Sequence, residues 1–336
     1  MLSHPVNEIE IALTLRALSP LLVKEGRYTD TLREKWKQQE TVRDQLPNAV
    51  PATQNSLDEI KAAVISENPS RAMNRLSLYI PGSSLRGSWR SHLERLLRGM
   101  SSPKEARICD PFDDKTSCSR WLAPSEDEDI PADRKDHPYN DSCPICRIFG
   151  STAHASRLSI SDGVRKGAAG RVVHRDHVRI DRKDGKVGLG PFRFLGIQDA
   201  EFEITIRLRN FELWQMGLIA SLLKELEDER IPLGSGKNKG YGKVKATVGK
   251  VTLTYINTPL PITKLIGVAE HPAWGAYFQK RYGLHQYEGP EVPLTIRFES
   301  PTPWRATAVL DGAFLTKCRE IPFIPENFNL LNLRQP

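Results

Sequence analysis

The sequence predicts an α+β domain of the ferredoxin-like type, with insertions. Three observations support this fold class. The predicted elements follow the order strand, helix, strands, helix, strand. Apolar and polar residues alternate at 8–18 and 201–209, which is typical of strands with one buried face. Amphipathic helices are predicted at 85–98, between these two strands, and at 211–228, directly after the second.

The first strand is followed by a predicted helical insertion at 28–70. A helix is expected at 29–47, with Thr29 or Asp30 as its N-cap. The stretch Ser56-Leu-Asp-Glu59 has the capping-box pattern that opens a second short helix to about Ile65.

The remaining core elements follow a Pro-Gly turn at 81–84. The helix from Leu85 to about Arg98 places Leu85, Trp89 and Leu93 on one face. Further strands are predicted at 157–161, 171–181, 187–195, 201–209 and 242–255. Residues 1–255 then make up the main domain, and 256–336 are a C-terminal extension or a partial second repeat. The similarity of Leu294–Pro301 to Leu13–Pro20 is the basis for a second repeat, and chance explains it equally well.

Composition points to a globular protein without a membrane segment. Hydrophobic residues make up 39% of the 336 residues and charged residues 26%. No apolar run reaches the roughly 20 residues of a membrane span. The N-terminus lacks the basic and apolar regions of a signal peptide, so we expect a cytoplasmic protein.

Positive charge is concentrated in one part of the chain. The net charge is +7. The sequence from Arg157 to Arg193 contains ten Lys or Arg residues and four Asp. A basic stretch of this kind favours a phosphate backbone as partner, with Arg175, Arg179 and Arg182 as candidate contacts. The alternative is a solvated basic surface without a ligand.

A glycine-rich loop runs from Gly234 to Gly242. Its four glycines let the backbone approach a ligand closely, and Lys237 and Lys239 add charge for phosphates. Tyr241 is a candidate for stacking on a base. The loop has no Walker pattern, and a turn without a ligand is the competing interpretation.

The segment Tyr79–Gly87 leads into a helix N-terminus. Exposed backbone N–H groups, the hydroxyls of Ser83 and Ser84, and Arg86 predict an anion site there. Plain helix capping explains the same residues equally well.

Four of the five cysteines form a cluster in sequence. Cys143 and Cys146 make a Cys-x-x-Cys knuckle, and Cys109 and Cys118 precede it. Four thiolates suit a closed tetrahedral zinc site, which makes 100–150 a predicted zinc-binding insertion. His137 could replace one of the first two cysteines as a ligand, and buried free thiols or a redox pair would explain the cysteines without zinc. Cys318 is distant in sequence and is expected to be simply buried.

The motifs together resemble the RAMP superfamily, specifically the repeated backbone subunits of type III CRISPR effector complexes. The resemblance covers about 8–255. It rests on Ile-Pro-Gly-Ser-Ser-Leu-Arg-Gly at 80–87, Cys-Pro-Ile-Cys-Arg-Ile-Phe-Gly at 143–150, Val-Arg-Ile-Asp-Arg at 178–182 and the glycine-rich loop. The resemblance implies an antiviral ribonucleoprotein complex with guide RNA, target RNA and sister subunits as partners. It also implies a structural zinc and a thumb hairpin at 171–195.

Whether the chain is an enzyme stays open. The resemblance implies target cleavage with a divalent metal such as Mg²⁺ and an aspartate after the first strand, and Asp30 is the candidate. Capping of the 29–47 helix is the competing role for Asp30. A purely architectural RNA-binding subunit and a guide-processing endoribonuclease are the rival functions. For the latter, His154, His174 and His177 are candidate acid–base groups. Outside the superfamily, the rival is a zinc-stabilised protein that binds another polyanion.

Overall fold

A computed structural model gives the fold. It describes residues 4–24, 51–55, 57–64, 66–100, 108–113, 116–122, 138–167, 170–258, 262, 264–282, 284, 305–310 and 312–321. The predicted helix at 29–47 and the segment 294–301 lie outside these described residues.

The described chain is a mixed α+β structure with antiparallel sheets. Its strands, in chain order, are β1 (Asn7–Ala17), β2 (Tyr79–Ile80), β3 (Leu158–Ile160), β4 (Gly163–Lys166), β5 (Arg171–Ile180), β6 (Val187–Gln198), β7 (Glu201–Arg209), β8 (Val244–Ile256) and β9 (Arg305–Leu310). Its α-helices are α1 (Leu57–Val64), α2 (Pro69–Met73), α3 (Gly82–Gly99), α4 (Cys118–Leu122), α5 (Pro144–Phe149), α6 (Leu213–Glu227), α7 (Gly275–Tyr282) and α8 (Gly312–Cys318).

Seven of these strands form the main sheet. The strand order is β2-β4-β7-β1-β8-β9, and β3 also pairs with β7. β1 lies at the centre of the sheet because it pairs antiparallel with β7 on one side and β8 on the other. Strands β5 and β6 form a separate two-stranded hairpin.

Alternation of side chains explains which face of the main sheet is buried. In β1 the apolar residues Ile9, Ile11, Leu13 and Leu15 are buried, and the residues between them face outward. β7 repeats the pattern, so its outward side chains meet those of β1 across the sheet. Two ion pairs result, Arg207–Glu10 at 2.5 Å and Arg209–Glu8 at 2.7 Å. The outward face of β1 and β7 is therefore charged, and its opposite charges pair with one another.

The apolar residues of helices α3 and α6 pack with those of the main sheet in one core. Trp89 and Leu93 of α3 are fully buried, as is Leu218 of α6. α6 begins with a reciprocal capping box, in which Glu212 and Gln215 bond each other's backbone N–H groups.

The described part of the C-terminal region packs on the same layers. β9 pairs with β8, and the chain after α8 approaches α6 closely. A Cβ at Gly217 would lie 2.4 Å from the Ile321 carbonyl oxygen, so this crossing requires glycine. Residues 305–321 thus extend the main sheet and its helical layer.

Several predicted elements appear within a few residues of their expected bounds. The capping-box helix is α1, and the predicted strand at 201–209 is β7. Helix α3 begins at Gly82 rather than Leu85, because Gly82 and the two serines already adopt helical geometry after Pro81. Among the described residues there is no helix long and apolar enough to span a membrane.

Candidate metal centre and nucleic-acid interface

The four clustered cysteines come together in space although they lie on different elements. Cys109 follows α3 in a loop and Cys118 begins α4. Cys143 is the N-cap of α5, and Cys146 lies in its first turn. Their sulfur atoms all lie within 4.8 Å of one another, and all four residues are buried. The sequence prediction of this grouping is confirmed.

The spacing of the sulfur atoms fits a tetrahedral metal ion. The Cys109 Sγ lies 3.7 Å from the Cys146 Sγ and 3.6 Å from the Cys143 Sγ. Zinc–thiolate bonds of about 2.3 Å in a tetrahedron place the sulfurs roughly 3.8 Å apart. No disulfide joins any of the four cysteines. The donor set is thus compatible with structural zinc, which would cross-link the loops around α4 and α5.

Arg90 of α3 is a neighbour of the cluster whose role is not evident from the sequence. Its guanidinium donates to the Cys146 Sγ at 3.3 Å and pairs with Glu94 at 2.9 Å. Burial works to lower the pKa of Arg90, but Cys146 and Glu94 outweigh it and the pKa is raised. With a metal bound, a cation here would offset part of the negative charge of four thiolates. The only sequence signal is the i, i+4 spacing to Glu94, which many surface helices share.

From the sequence, His137 is an alternative ligand and Cys318 is a cysteine outside the site. His137 is outside the described residues. Cys318 is buried at the end of α8, where burial raises the pKa of its thiol to about 12. Such a thiol stays protonated and behaves as a small apolar side chain.

Arg157, the first residue of the basic stretch, belongs to a buried polar network. It is 3% exposed, donates to the Asn210 carbonyl at 2.7 Å and lies 3.6 Å from the Glu212 carboxylate. Its guanidinium carbon lies 3.8 Å from the centre of the Tyr139 ring, whose hydroxyl donates to the same carboxylate. The basic stretch therefore does not form one continuous surface, because its first member is enclosed in the core.

Most of the exposed cations of the basic stretch lie on the β5–β6 hairpin, and Lys166 of β4 pairs with Glu203. Arg179 and Arg182 are exposed near its tip, and Arg175 is half-buried nearer its base. Large apolar side chains are also exposed on this hairpin: Val178, Ile180 and Val187. A projecting ribbon that mixes cations and apolar groups is suited to contact a polyanion that also has flat apolar faces.

The glycine-rich loop lies against the chain that leaves the first strand. Gly234 has a φ of +75°, and a Cβ there would lie 2.4 Å from the Leu22 carbonyl oxygen. This close approach leaves the short 3₁₀ turn Lys237–Lys239 exposed on the outside of the loop. Burial, and then the positive charge of Arg95 in α3, lower the pKa of Lys237.

Tyr241 connects this loop to the hairpin. Its side chain is 2% exposed, and its hydroxyl lies 3.0 Å from the His177 Nε2. The Phe194 ring packs against both, with centroids 5.1 Å from His177 and 6.5 Å from Tyr241. The Arg175 guanidinium lies over the Tyr241 ring at 5.2 Å. Because the ring is enclosed by these neighbours, Tyr241 anchors the hairpin here rather than presenting a stacking surface.

The predicted anion site at the start of α3 is already engaged by the protein. The Gly82 N–H donates to an Asp162 carboxylate oxygen at 2.7 Å, which caps the helix. Arg86 donates to the backbone carbonyls of Phe149 and Leu158, so it ties α3 to the chain after the knuckle. Ser83 is exposed and Ser84 half-buried. This geometry favours capping over an anion site, and no local sequence pattern points to Asp162 as the cap.

Asp30 lies outside the described residues. Of the three histidines considered for acid–base chemistry, His154 bonds the Ser142 hydroxyl at 2.9 Å and His174 is exposed on β5. Of these three, His177 is the one that bonds a residue of the glycine-rich loop, the Tyr241 hydroxyl.

The fold and these sites define an α+β protein with a cluster of four cysteines that could hold a metal ion and a basic hairpin seated on a glycine-rich loop. The model of the RAMP superfamily matches residues 14–245, more than two thirds of the chain. The chain therefore belongs to the RAMP superfamily, which gives it a CRISPR-associated, RNA-binding role in general terms. No curated protein matches the sequence.

Proposed function

We propose that this chain is a backbone subunit of a type III CRISPR effector that holds guide RNA and the paired target RNA. The observation that carries the proposal is the hairpin and loop, which together expose Arg179, Arg182, Lys237 and Lys239. These cations are suited to successive phosphates of an RNA strand, and family membership supports RNA as that polyanion.

The strand order of the main sheet supports a ferredoxin-like core. If β4, β7 and β8 are taken as the second, third and fourth strands after β1, the order is 4-1-3-2, with α3 and α6 as the two helices. The hairpin β5–β6 then lies between the second and third strands, where the proposed thumb would project from the core.

Zinc is proposed as the resident metal of the four-cysteine cluster. Its role would be structural, because four protein thiolates leave no open coordination position. The chain's own contribution is to hold the thiols on rigid elements and to place Arg90 beside them.

RNA binding is tested with Arg179→Ala/Arg182→Ala and a single-stranded RNA titrated at several salt concentrations. The double variant should weaken all RNA sequences alike, because phosphates carry no sequence information. Loss confined to one sequence would indicate base readout and contradict the phosphate assignment.

Target cleavage with Mg²⁺ is proposed for Asp30, supported by its position about a dozen residues after the first strand. Asp30→Ala should abolish one cut in the target without weakening RNA capture. An unchanged cleavage pattern together with a loss of about 1 kcal/mol in stability would identify a helix cap instead.

A second candidate function, guide-RNA processing without metal, is favoured by one observation. The His177 imidazole bonds the Tyr241 hydroxyl at 3.0 Å beside the loop lysines. Burial, and then Lys239 and Arg175, lower the pKa of His177, which keeps the imidazole neutral and able to accept a proton at pH 7. Cleavage that persists in EDTA and disappears in His177→Ala would support this function over the Asp30 route.

A further inference from the structure

A group of aromatic side chains lies at the end of the main sheet opposite the glycine-rich loop. The loop contacts the chain after β1, where the Ser235 N–H donates to the Leu22 carbonyl at 2.8 Å. The aromatic group lies at the start of β1, where the Asn210 side chain donates to the His4 carbonyl at 2.9 Å. The two surfaces are separated by the length of β1, about 36 Å for eleven residues.

Three rings make up this aromatic platform. The His4 ring centroid lies 5.2 Å from that of Trp274 and 6.2 Å from that of Tyr277. Trp274 and Tyr277 meet edge to face at 5.8 Å. Phe278, on the inner side of α7, is fully buried and fixes the helix to the core. The rings are therefore held in place by packing beneath them while Tyr277 remains 44% exposed.

Cations lie on the same side of α7 as the exposed ring. Lys280 and Arg281 follow Tyr277 by three and four residues, a spacing that places side chains on one helix face. Both are exposed. The segment from His271 to Tyr282 contains no Asp or Glu. The platform thus combines flat apolar rings with a net positive charge along the segment.

We propose that the aromatic platform of His4, Trp274 and Tyr277 binds an unpaired nucleobase of RNA, with Lys280 and Arg281 on the flanking phosphates. This inference rests on the proposed RNA-binding function and adds a contact that reads a base face. Stacking on aromatic rings tolerates any base, because every base has a π face. Tyrosine is also common at protein interfaces, and the experiment below separates a protein partner from RNA.

The inference is tested with two probes, a single-stranded oligouridylate and an abasic oligonucleotide of the same length. Both carry the phosphates, but only the first carries bases. Tyr277→Ala should weaken binding of the oligouridylate about tenfold, within the range for loss of one stacked base. It should leave the abasic probe unaffected. Tyr277→Phe keeps the ring and is the matched control, with wild-type affinity for both probes.

Different outcomes overturn the inference in distinguishable ways. Equal affinity of Tyr277→Ala and wild type for the oligouridylate excludes stacking, as does a loss that is the same on both probes. Loss of a copurifying protein with unchanged probe binding would identify a protein surface. Failure of the wild type to bind either probe would sink the proposed function itself, and then Arg179→Ala/Arg182→Ala would have no effect either. Because Tyr277 is exposed, an unchanged unfolding temperature is the check on folding.

Discussion

The four-cysteine cluster and the basic hairpin are built by opposite means. In the cluster the four cysteine side chains are buried, and their sulfur atoms lie close to one another. In the hairpin the candidate contacts Arg179 and Arg182 are exposed and face solvent. All four thiols of the cluster come from one chain, whereas the function proposed for the hairpin requires a partner. Mutations should therefore change stability in the first region and binding in the second.

The largest effect on stability is expected when one cysteine of the four-cysteine cluster is replaced. Cys146→Ser removes one thiolate, and structural zinc sites contribute on the order of 10 kcal/mol of binding free energy that is coupled to folding. We expect zinc content to fall below about half an equivalent, and the region around α4 and α5 to lose protection against proteolysis. Metal analysis and limited proteolysis measure both.

Cys318→Ala is the matched control, because this thiol is buried outside the cluster. It should retain full zinc content. Wild-type protein that lacks zinc when purified without chelators would contradict the assignment of the metal.

The next effect in size concerns two arginines of the same basic stretch. Arg157→Met leaves the buried Glu212 carboxylate without its cation and should cost about 3–5 kcal/mol of stability. The exposed Arg179→Met should change the unfolding free energy by less than about 0.5 kcal/mol. Chemical denaturation measures both values. Equal destabilisation by the two variants would mean that the buried network around Arg157 is wrongly described.

A smaller effect, on binding rather than folding, is expected at the hairpin tip. Arg179→Ala/Arg182→Ala removes two phosphate contacts, so the plot of log affinity against log salt for single-stranded RNA should become shallower by about 1.4. Filter binding at several salt concentrations measures the slope. Arg157→Met, corrected for its folded fraction, should keep the wild-type slope, and a shallower slope in that variant would place Arg157 on the RNA surface.

The smallest expected effect is a pH dependence of hairpin docking. Burial, and then Lys239 and Arg175, lower the pKa of His177 below the ordinary value of about 6.5, against a small opposing contribution from Asp176. As the pH falls below about 6.5, the folded protein binds fewer protons than the unfolded chain. Docking of the hairpin on the glycine-rich loop therefore weakens as the pH falls. Above about pH 6.5 the stability of the docked hairpin should not change with pH. Hydrogen exchange of β5 and β6 amides should show the loss in wild type, and His177→Gln should flatten it.

Sequence alone predicted the four-cysteine cluster better than the hairpin. The four cysteines were identified because thiolates in a Cys-x-x-Cys pattern have few other uses. The strands β1 and β7 followed from alternation of apolar and polar residues, which is imperfect in β1 and regular over nine residues in β7. The charge count could not separate Arg157 from Arg179, because burial depends on Glu212, which lies 55 residues further along the chain. Asp162 and Arg90 were missed for the same reason, since each acts across a tertiary contact.

Whether this chain holds RNA is decided best by what copurifies with it. The tagged chain is expressed from its native locus, isolated at moderate salt, and its bound nucleic acid is sequenced. We expect a discrete population of short RNAs together with sister subunits, and the loss of both RNA and salt-sensitive binding in the hairpin double variant. Purified protein that carries zinc but neither RNA nor any partner, and that binds no RNA when it is added back, would contradict the proposed function.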